Sequence, residues 1–445
     1  MRDLFFTMLM VPLLGLAGAQ PFVGVLLWSW IAFMNPHQLT WGFASTLPWA
    51  VIVFMATVVG CFVAREPRRI PLSVLTVLIV LFMVGITITS LAALGPAEMV
   101  WPKWDRVFKI MLGVLLAASL LDSRRRVHAL LWLIVVSLGY FGVKGGIFTL
   151  KSGGGYIVLG PPNSMIADRN HLAAALLVAL PLMNYLRLQS RHRPVQMGLV
   201  FAMATTLFSV VGSQSRGALV GLVATAVVLW ARSRGKIASG VAIALFVGLA
   251  IAFMPDSWTE RMNTILNFEE DGSAMGRVTV WLASFEIARA RPLLGGGFRA
   301  MYVQAIVDRV MPGVTGRAAH SIWFEVIGEQ GFVVAGIWFA MLFTGGFYTL
   351  RIVRMTRRRP DLRWAHDLAR MTQVAMVAYM SAGSFVSLAY WNCFWTLMVT
   401  IGAVHRLVSE AVRTTPAAAS AAGWRARAPV AATLPLAPAR AGLRP

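Results

Sequence analysis

The apolar runs of this chain limit its fold more than any other feature. "PLSVLTVLIVLFMVGITITSLAALG" (71–95) and "KIASGVAIALFVGLAIAFM" (236–254) are two of many. Blocks of ~20 apolar residues match the hydrocarbon thickness of a bilayer when they run as helices. Only 13% of the 445 residues are charged, against about a quarter in a soluble protein. The expected class is an all-α polytopic membrane protein.

The net charge of +22 invites a nucleic-acid reading, but its distribution argues against one. The basic residues form short clusters between apolar blocks: "REPRR" (65–69), "DSRRR" (122–126), "RLQSRHR" (187–193), "RSRGK" (232–236) and "RIVRMTRRRPDLR" (351–363). That is the positive-inside pattern, which sets orientation. Placing every cluster in the cytoplasm yields eleven candidate spans: 47–64, 72–94, 107–121, 127–143, 171–188, 195–212, 217–231, 236–254, 331–350, 372–389 and 391–405. Residues 4–34 are apolar but interrupted by "GAQP" (18–21), and 31 residues exceed one straight span. One crossing gives twelve spans and two give thirteen; twelve is the expectation. The "AGA" at 17–19 has cleavage-site spacing, yet the only basic residue before it is Arg2, offset by Asp3, which argues against a signal peptide.

This topology sends 35–46, 95–106, the Gly-rich 144–170, the "SQSRG" turn (213–217) and a large loop, 255–319, to the opposite face. The membrane domain is expected over 1–405. The Ala/Pro/Arg-rich remainder, 406–445, has a composition that cannot bury a core and reads as a disordered cytoplasmic tail. Cys61 and Cys393, both in apolar blocks, read as packing residues. No inverted repeat relates the two halves, which weighs against a transporter.

Polar residues that a mere anchor would not need gather on the extracytoplasmic side. In "GRAAHSIWFEVIGEQG" (316–331), His320, Phe324 and Ile327 share one helical face, and Ser321, Glu325 and Glu329 the next. In the large loop Val278, Trp281, Phe285 and Ala288 predict a helix over 277–290, with Arg277 in its first turn, where an anion would bind. "RPLLGGGF" (291–298) should end that helix and permit close backbone approach. Arg216 stands at the mouth of two spans, where a charge is costly without an anionic partner. Taken singly, Arg216 is an interface anchor, Arg277 a solvated loop charge and His320 a packed histidine. Glu325 and Glu329 either orient His320, pair with arginines, or pack as polar groups in the bundle. Asp168 or Asn170 would cap the helix that begins near His171. Asn170, His171, Glu325, Arg317 and His37 are the further candidates for the cleft or its support. The acidic "EED" (269–271) lacks a nearby His and reads as solvated loop, so no metal site is expected. Together, two arginines and a histidine could stabilise a leaving diphosphate and deprotonate an acceptor hydroxyl, one reading among several at this level.

The order and spacing of "SQSRGAL", "MGRVTVW…RPLLGGGF" and "HSIWFEVIGEQG" resemble the O-antigen ligase/polymerase superfamily (WaaL and Wzy types) over roughly residues 1–405. "NPHQLTWGFA", "GVKGGIFTL", "MPDSWTERM" and "EEDGSAMGR" are similar to the branch of O-glycosylation ligases found with exosortases. The resemblance implies an inner-membrane, inverting, metal-independent glycosyltransferase of about twelve spans, with amphipathic helices in a large periplasmic loop and no cofactor. It implies an undecaprenyl-diphosphate-linked glycan donor, a lipid A–core acceptor and contact with membrane lipid, with His320 catalytic and Arg216 and Arg277 on the diphosphate. A Ser/Thr protein acceptor or a growing glycan chain is the alternative within the class; a lipid-linked glycan transporter or an export scaffold lies outside it.

Overall fold

The computed structural model describes residues 1–64, 71–233, 235–263 and 272–414. All regular structure among them is helical. Seven helices there are long and apolar enough to cross a membrane, and the protein is an all-α, multi-pass membrane protein.

The N-terminal stretch departs from the single crossing. α1 (Arg2–Ala19) and α2 (Pro21–Met34) meet at an extended Gln20 and fold back as a hairpin against α3 (Trp49–Val63). Phe6 and Trp30 both lie beside the start of α3, with Phe6 edge-on to Trp49 at 5.3 Å. Gly60, near the other end of α3, abuts the carbonyls of Ala17 and Gly18. The carboxylate of Asp3 accepts from the amides of Gly42 and Ala44 at 3.0 and 3.1 Å. Both ends of 4–34 therefore stand on one side, because Pro21 starts a new helix instead of continuing the first.

α4 (Val74–Leu91), α5 (Ala97–Leu120) and α6 (Arg124–Lys151) follow. α5 and α6 run beyond their expected spans into 95–106 and 144–170. The expected loop at 144–170 is helix as far as Lys151, and Gly142, Gly145 and Gly146 let α6 approach α8 (Arg193–Gly212) closely. Gly142 meets the Thr206 side chain, Gly145 meets Ser209, and a Cβ on Gly146 would overlap the Thr205 carbonyl. Small residues that bring backbones together are how helices associate in lipid, where apolar side chains gain nothing from leaving it. α7 (Arg169–Gln189) is the most deeply buried span; α9 (Arg216–Arg232) packs beside it, and α10 (Lys236–Phe253) stays almost wholly exposed to lipid.

Three helices occupy the large loop: α11 (Asp256–Asn263), α12 (Gly272–Ala290) and α13 (Gln304–Val310). α12 begins at Gly272, so Arg277 lies in its second turn and not at a helix N-terminus. Its buried residues are Val280, Ala283, Ser284, Ile287 and Ala288, while Phe285 is exposed. The small ones allow α12 to touch α14 (Ile322–Thr356) directly, with Gly328 against Ser284. α14 breaks at Gly331 (φ 72°, ψ 177°). There the triple glycine docks: the amides of Gly296 and Gly297 donate to the carbonyls of Gly328 and Glu329 at 2.9 and 2.8 Å. The close approach expected of "RPLLGGGF" is present.

α15 (Arg363–Gly383) and α16 (Asn392–Thr414) complete the bundle. The expected span 372–389 stops at Gly383, because the apolar 384–391 is not helical. Non-helical backbone is tolerated at membrane level only inside protein, and this segment is buried against α14. α16 in turn runs past 405, so residues 406–414 are helix; the rest of the expected tail, the "EED" triple and "REPRR" lie outside the described residues. Two ends result. The basic clusters share one, where Gln189 donates to Asp367 at 3.0 Å and Arg406 to the Leu121 carbonyl at 2.8 Å. The loops share the other, where Leu94 N–H donates to Gly296 O at 3.0 Å and Asn163 to Gln38 at 3.2 Å.

Candidate active site

At the loop end, arginines from five segments stand in one another's fields. Arg277 of α12 is lowered in pKa by burial and then by Arg216, Arg317 and Arg169, with Asp168 opposing. Arg261 of α11 is lowered by burial and by Arg169 and Arg216. Arg317 lays its guanidinium against Gly276, where a Cβ would overlap it. Cations held this close repel one another unless an anion lies among them.

His320 joins this cluster. Burial lowers its pKa first, followed by the charges of Arg277 and His171; Asp168 opposes and Arg317 adds to the lowering. The imidazole is thus held neutral at pH 7, the form that accepts a proton. His320 lies two residues before α14 rather than in it, in the left-handed region at φ 46°. Non-glycine residues in that region are held there by their surroundings and collect at functional sites. Here the backbone N–H of His320 donates to Ser387 Oγ at 3.0 Å, and Trp281 Nε1 to the neighbouring Ala319 carbonyl at 2.7 Å. Trp281 stacks on Phe324 at 5.4 Å, and Trp323 Nε1 donates to Ser384 at 2.8 Å. The non-helical 384–391 is therefore what seats His320.

The carboxylate of the cluster is Asp168. It caps α7, accepting from Asn170 N–H at 2.8 Å and Asn170 Nδ2 at 2.9 Å, with His171 Nδ1 at 3.2 Å. The His171 hydrogen bond foremost, then those of Asn170, hold it well below the usual carboxylate range. Asp168 is thus the cap, one of the two residues the sequence offered for that role; Asn170 hydrogen-bonds it, and His171 both hydrogen-bonds it and acts on His320.

The lowered His320 pKa has a kinetic consequence. If the neutral ring is the working form, activity persists below pH 6.5 and is lost only as pH falls through the depressed pKa. Arg277→Gln removes a cation that lowers it, so the acid limb of the pH–rate profile should move up towards that of an ordinary imidazole. An acid limb unmoved by this change would separate His320 from Arg277.

Residues 201–339 match the O-antigen ligase family, and residues 1–191 match a family of unknown function (DUF5935). The first of these matches supports the O-antigen ligase/polymerase superfamily for this chain. None of the curated proteins matches it. The matched family implies an enzyme of the O-antigen ligase/polymerase kind, and the matched segment carries Arg216, Arg261, Arg277, Arg317 and His320. Asp168, Arg169, Asn170 and His171 come from the other half.

Glu325 stands elsewhere. Lys103 of α5 donates to Glu325 Oε1 at 2.9 Å and to both oxygens of Glu329 at 2.8 and 3.0 Å. The carboxylates are buried, and each anchors a loop: Glu325 Oε2 accepts from Ala389 N–H at 3.1 Å, and Glu329 Oε1 from Arg299 N–H at 2.8 Å. Lys103 also lies over the Tyr390 ring at 4.8 Å. This is the polar packing reading, not the orientation of His320 by a carboxylate. It does support the site at one remove, since Ala389 belongs to the segment that holds His320. His37 stays apart as well, in the turn after α2; burial lowers its pKa, and its Nδ1 is buried without a hydrogen-bond partner. Sequence reasoning missed Lys103, Arg169 and Arg261. The signal for Arg169 was adjacency to "NH" at a span mouth; for Arg261, its place in "WTERMN" one turn from a buried Trp258.

Proposed function

We propose that this protein transfers a glycan from undecaprenyl diphosphate to a hydroxyl acceptor, with the lipid A–core oligosaccharide as that acceptor, on the periplasmic side of the inner membrane. The observation that carries the reading is an arginine cluster at the end of the bundle opposite the basic clusters: Arg277 and Arg317 act on a neutral His320, and Arg169, Arg216 and Arg261 lie in the fields of that cluster. By the positive-inside rule that end faces the periplasm. With 1–34 as a hairpin, the N-terminus lies there too and the span count becomes thirteen.

In this reading Arg216 and Arg277 hold the donor diphosphate by bidentate hydrogen bonds. As the sugar–phosphate bond breaks, negative charge grows on the leaving diphosphate, and fixed cations in a water-poor site favour that state over the substrate. His320 takes the proton of the acceptor hydroxyl as its oxygen attacks the anomeric carbon from the opposite face, inverting it. Arg169, Arg261 and Arg317 raise the local potential that draws the polyanion in.

The test is transfer by detergent-purified protein supplied with undecaprenyl-diphosphate glycan and lipid A–core in the presence of EDTA. Product formation supports a metal-independent ligase. Intact donor with that acceptor, but product with a Ser/Thr peptide, would replace the lipid acceptor by a protein one, as the exosortase-associated resemblance suggests. Arg216→Lys and Arg277→Lys should each slow transfer about tenfold or more, since a bidentate, charged hydrogen-bond pair becomes a point charge. Full activity in both would remove the clamp.

A further inference from the structure

Far from the arginine cluster, at the basic end, α4, α5, α14 and α16 enclose a cavity of about 330 Å³, within the ~300–1,000 Å³ of small-molecule sites. Its wall is apolar, built by Leu75, Ala118 and Gly402, and its mouth is basic, with Arg406 and Arg413. Tyr348 and His405 line it with rings stacked at 4.3 Å and nearly parallel. His405 Nε2 is buried there without a hydrogen-bond partner, a state that a native structure seldom leaves unexplained. Arg406 gives one N–H to the Leu121 carbonyl, and Arg413 gives Nε to the Ser409 carbonyl at 3.3 Å. Each guanidinium retains further donors.

An apolar wall continuing into the bilayer from a basic mouth selects an amphiphile with an anionic head. A free anion would leave the wall bare, and a neutral lipid would leave the guanidiniums unmatched. Leu72 and Val74, which line the cavity, are exposed apolar residues, a side entrance that a bilayer lipid can use. Basic pockets between helices on the cytoplasmic side are where anionic headgroups bind. We infer that this cavity holds an anionic phospholipid of the adjoining leaflet, its acyl chain along Leu75 and Gly402, its phosphodiester on Arg406 and Arg413, and His405 Nε2 as a further donor. The inference is independent of the glycan reaction.

Thermal unfolding of the full chain in a neutral detergent tests it. Dioleoyl phosphatidylglycerol should raise Tm, while dioleoylglycerol, which has the same chains and no phosphate, and inorganic phosphate should not. The variant combining Arg413→Gln with His405→Phe, which keeps the ring stack on Tyr348, should lose at least half of that rise. Arg413→Gln alone, an exposed change, keeps the test open if the pair fails to fold. Arg357→Gln with Arg358→Gln, at the same end but outside the cavity, should retain the whole rise. An equal rise with dioleoylglycerol would make the cavity a plain hydrophobic slot and overturn the proposal. Reproduction by inorganic phosphate would put a free anion at the mouth and overturn the lipid assignment. A full rise in the cavity variants would place the lipid elsewhere.

Discussion

Purified His320→Ala protein is expected to lose transfer by about 10²–10⁴-fold, the usual contribution of a positioned general base. Its melting temperature should hardly change, because His320 is half-buried and packs at the margin of the bundle. The loss follows from where the ring stands: kept neutral by burial first and by neighbouring guanidiniums second, on a backbone seated by Ser387. Ser387→Ala should reproduce part of the loss by removing the hydroxyl that fixes the His320 amide, and it should do so with donor binding intact. Transfer at wild-type rate by His320→Ala would eliminate proton abstraction by this residue, whatever became of the arginines.

Lys103→Met should be the most damaging single change to stability, at about 3–5 kcal/mol, the cost of breaking a buried ion pair from one side. Glu325 and Glu329 would be left facing each other in the bundle with one cation gone, and the two loops they anchor would lose their purchase. The measurement is unfolding in detergent, read beside transfer activity. Adding Glu325→Gln and Glu329→Gln to Lys103→Met should restore much of the stability, since neutral amides can remain paired without a cation. A Lys103→Met protein that melts like the parent would mean the three charges are not the closed, buried set seen here.

Some of this architecture was readable in one dimension. Hydropathy reports the cost of transferring each segment from water to lipid, so blocks such as 71–95 and 236–254 identify their own environment. Charge placement works likewise: the clusters at 122–126, 187–193 and 351–363 share one end because lysines and arginines are held on one side of a membrane. Asp168 as a cap followed from local chemistry over two residues. Helix ends were less legible. Hydropathy read 384–389 as part of a span because its side chains are apolar, yet its backbone is bent and bonded to α14. Likewise, the Gly-rich stretch from 144 read as a loop, yet Gly145 and Gly146 lie in a helix and serve a close helix contact.

Membership in a lipid-embedded helical class, the shared end of the basic clusters, and the presence of Arg216, Arg277 and His320 at mouths and loops were properties of the sequence alone, because each depends on a residue and its near neighbours. The hairpin at Gln20, the seating of His320 by Ser387, the addition of Arg169 and Arg261 to the site, and the capture of both glutamates by Lys103 were decided only by the tertiary structure. Lys103 and Glu325 are separated by 222 residues, and nothing local to either carries information about the other. Burial of an uncompensated charge is costly enough that each of these groups must find a partner, but which partner it finds depends on how α5, α12, α14 and the 384–391 segment pack.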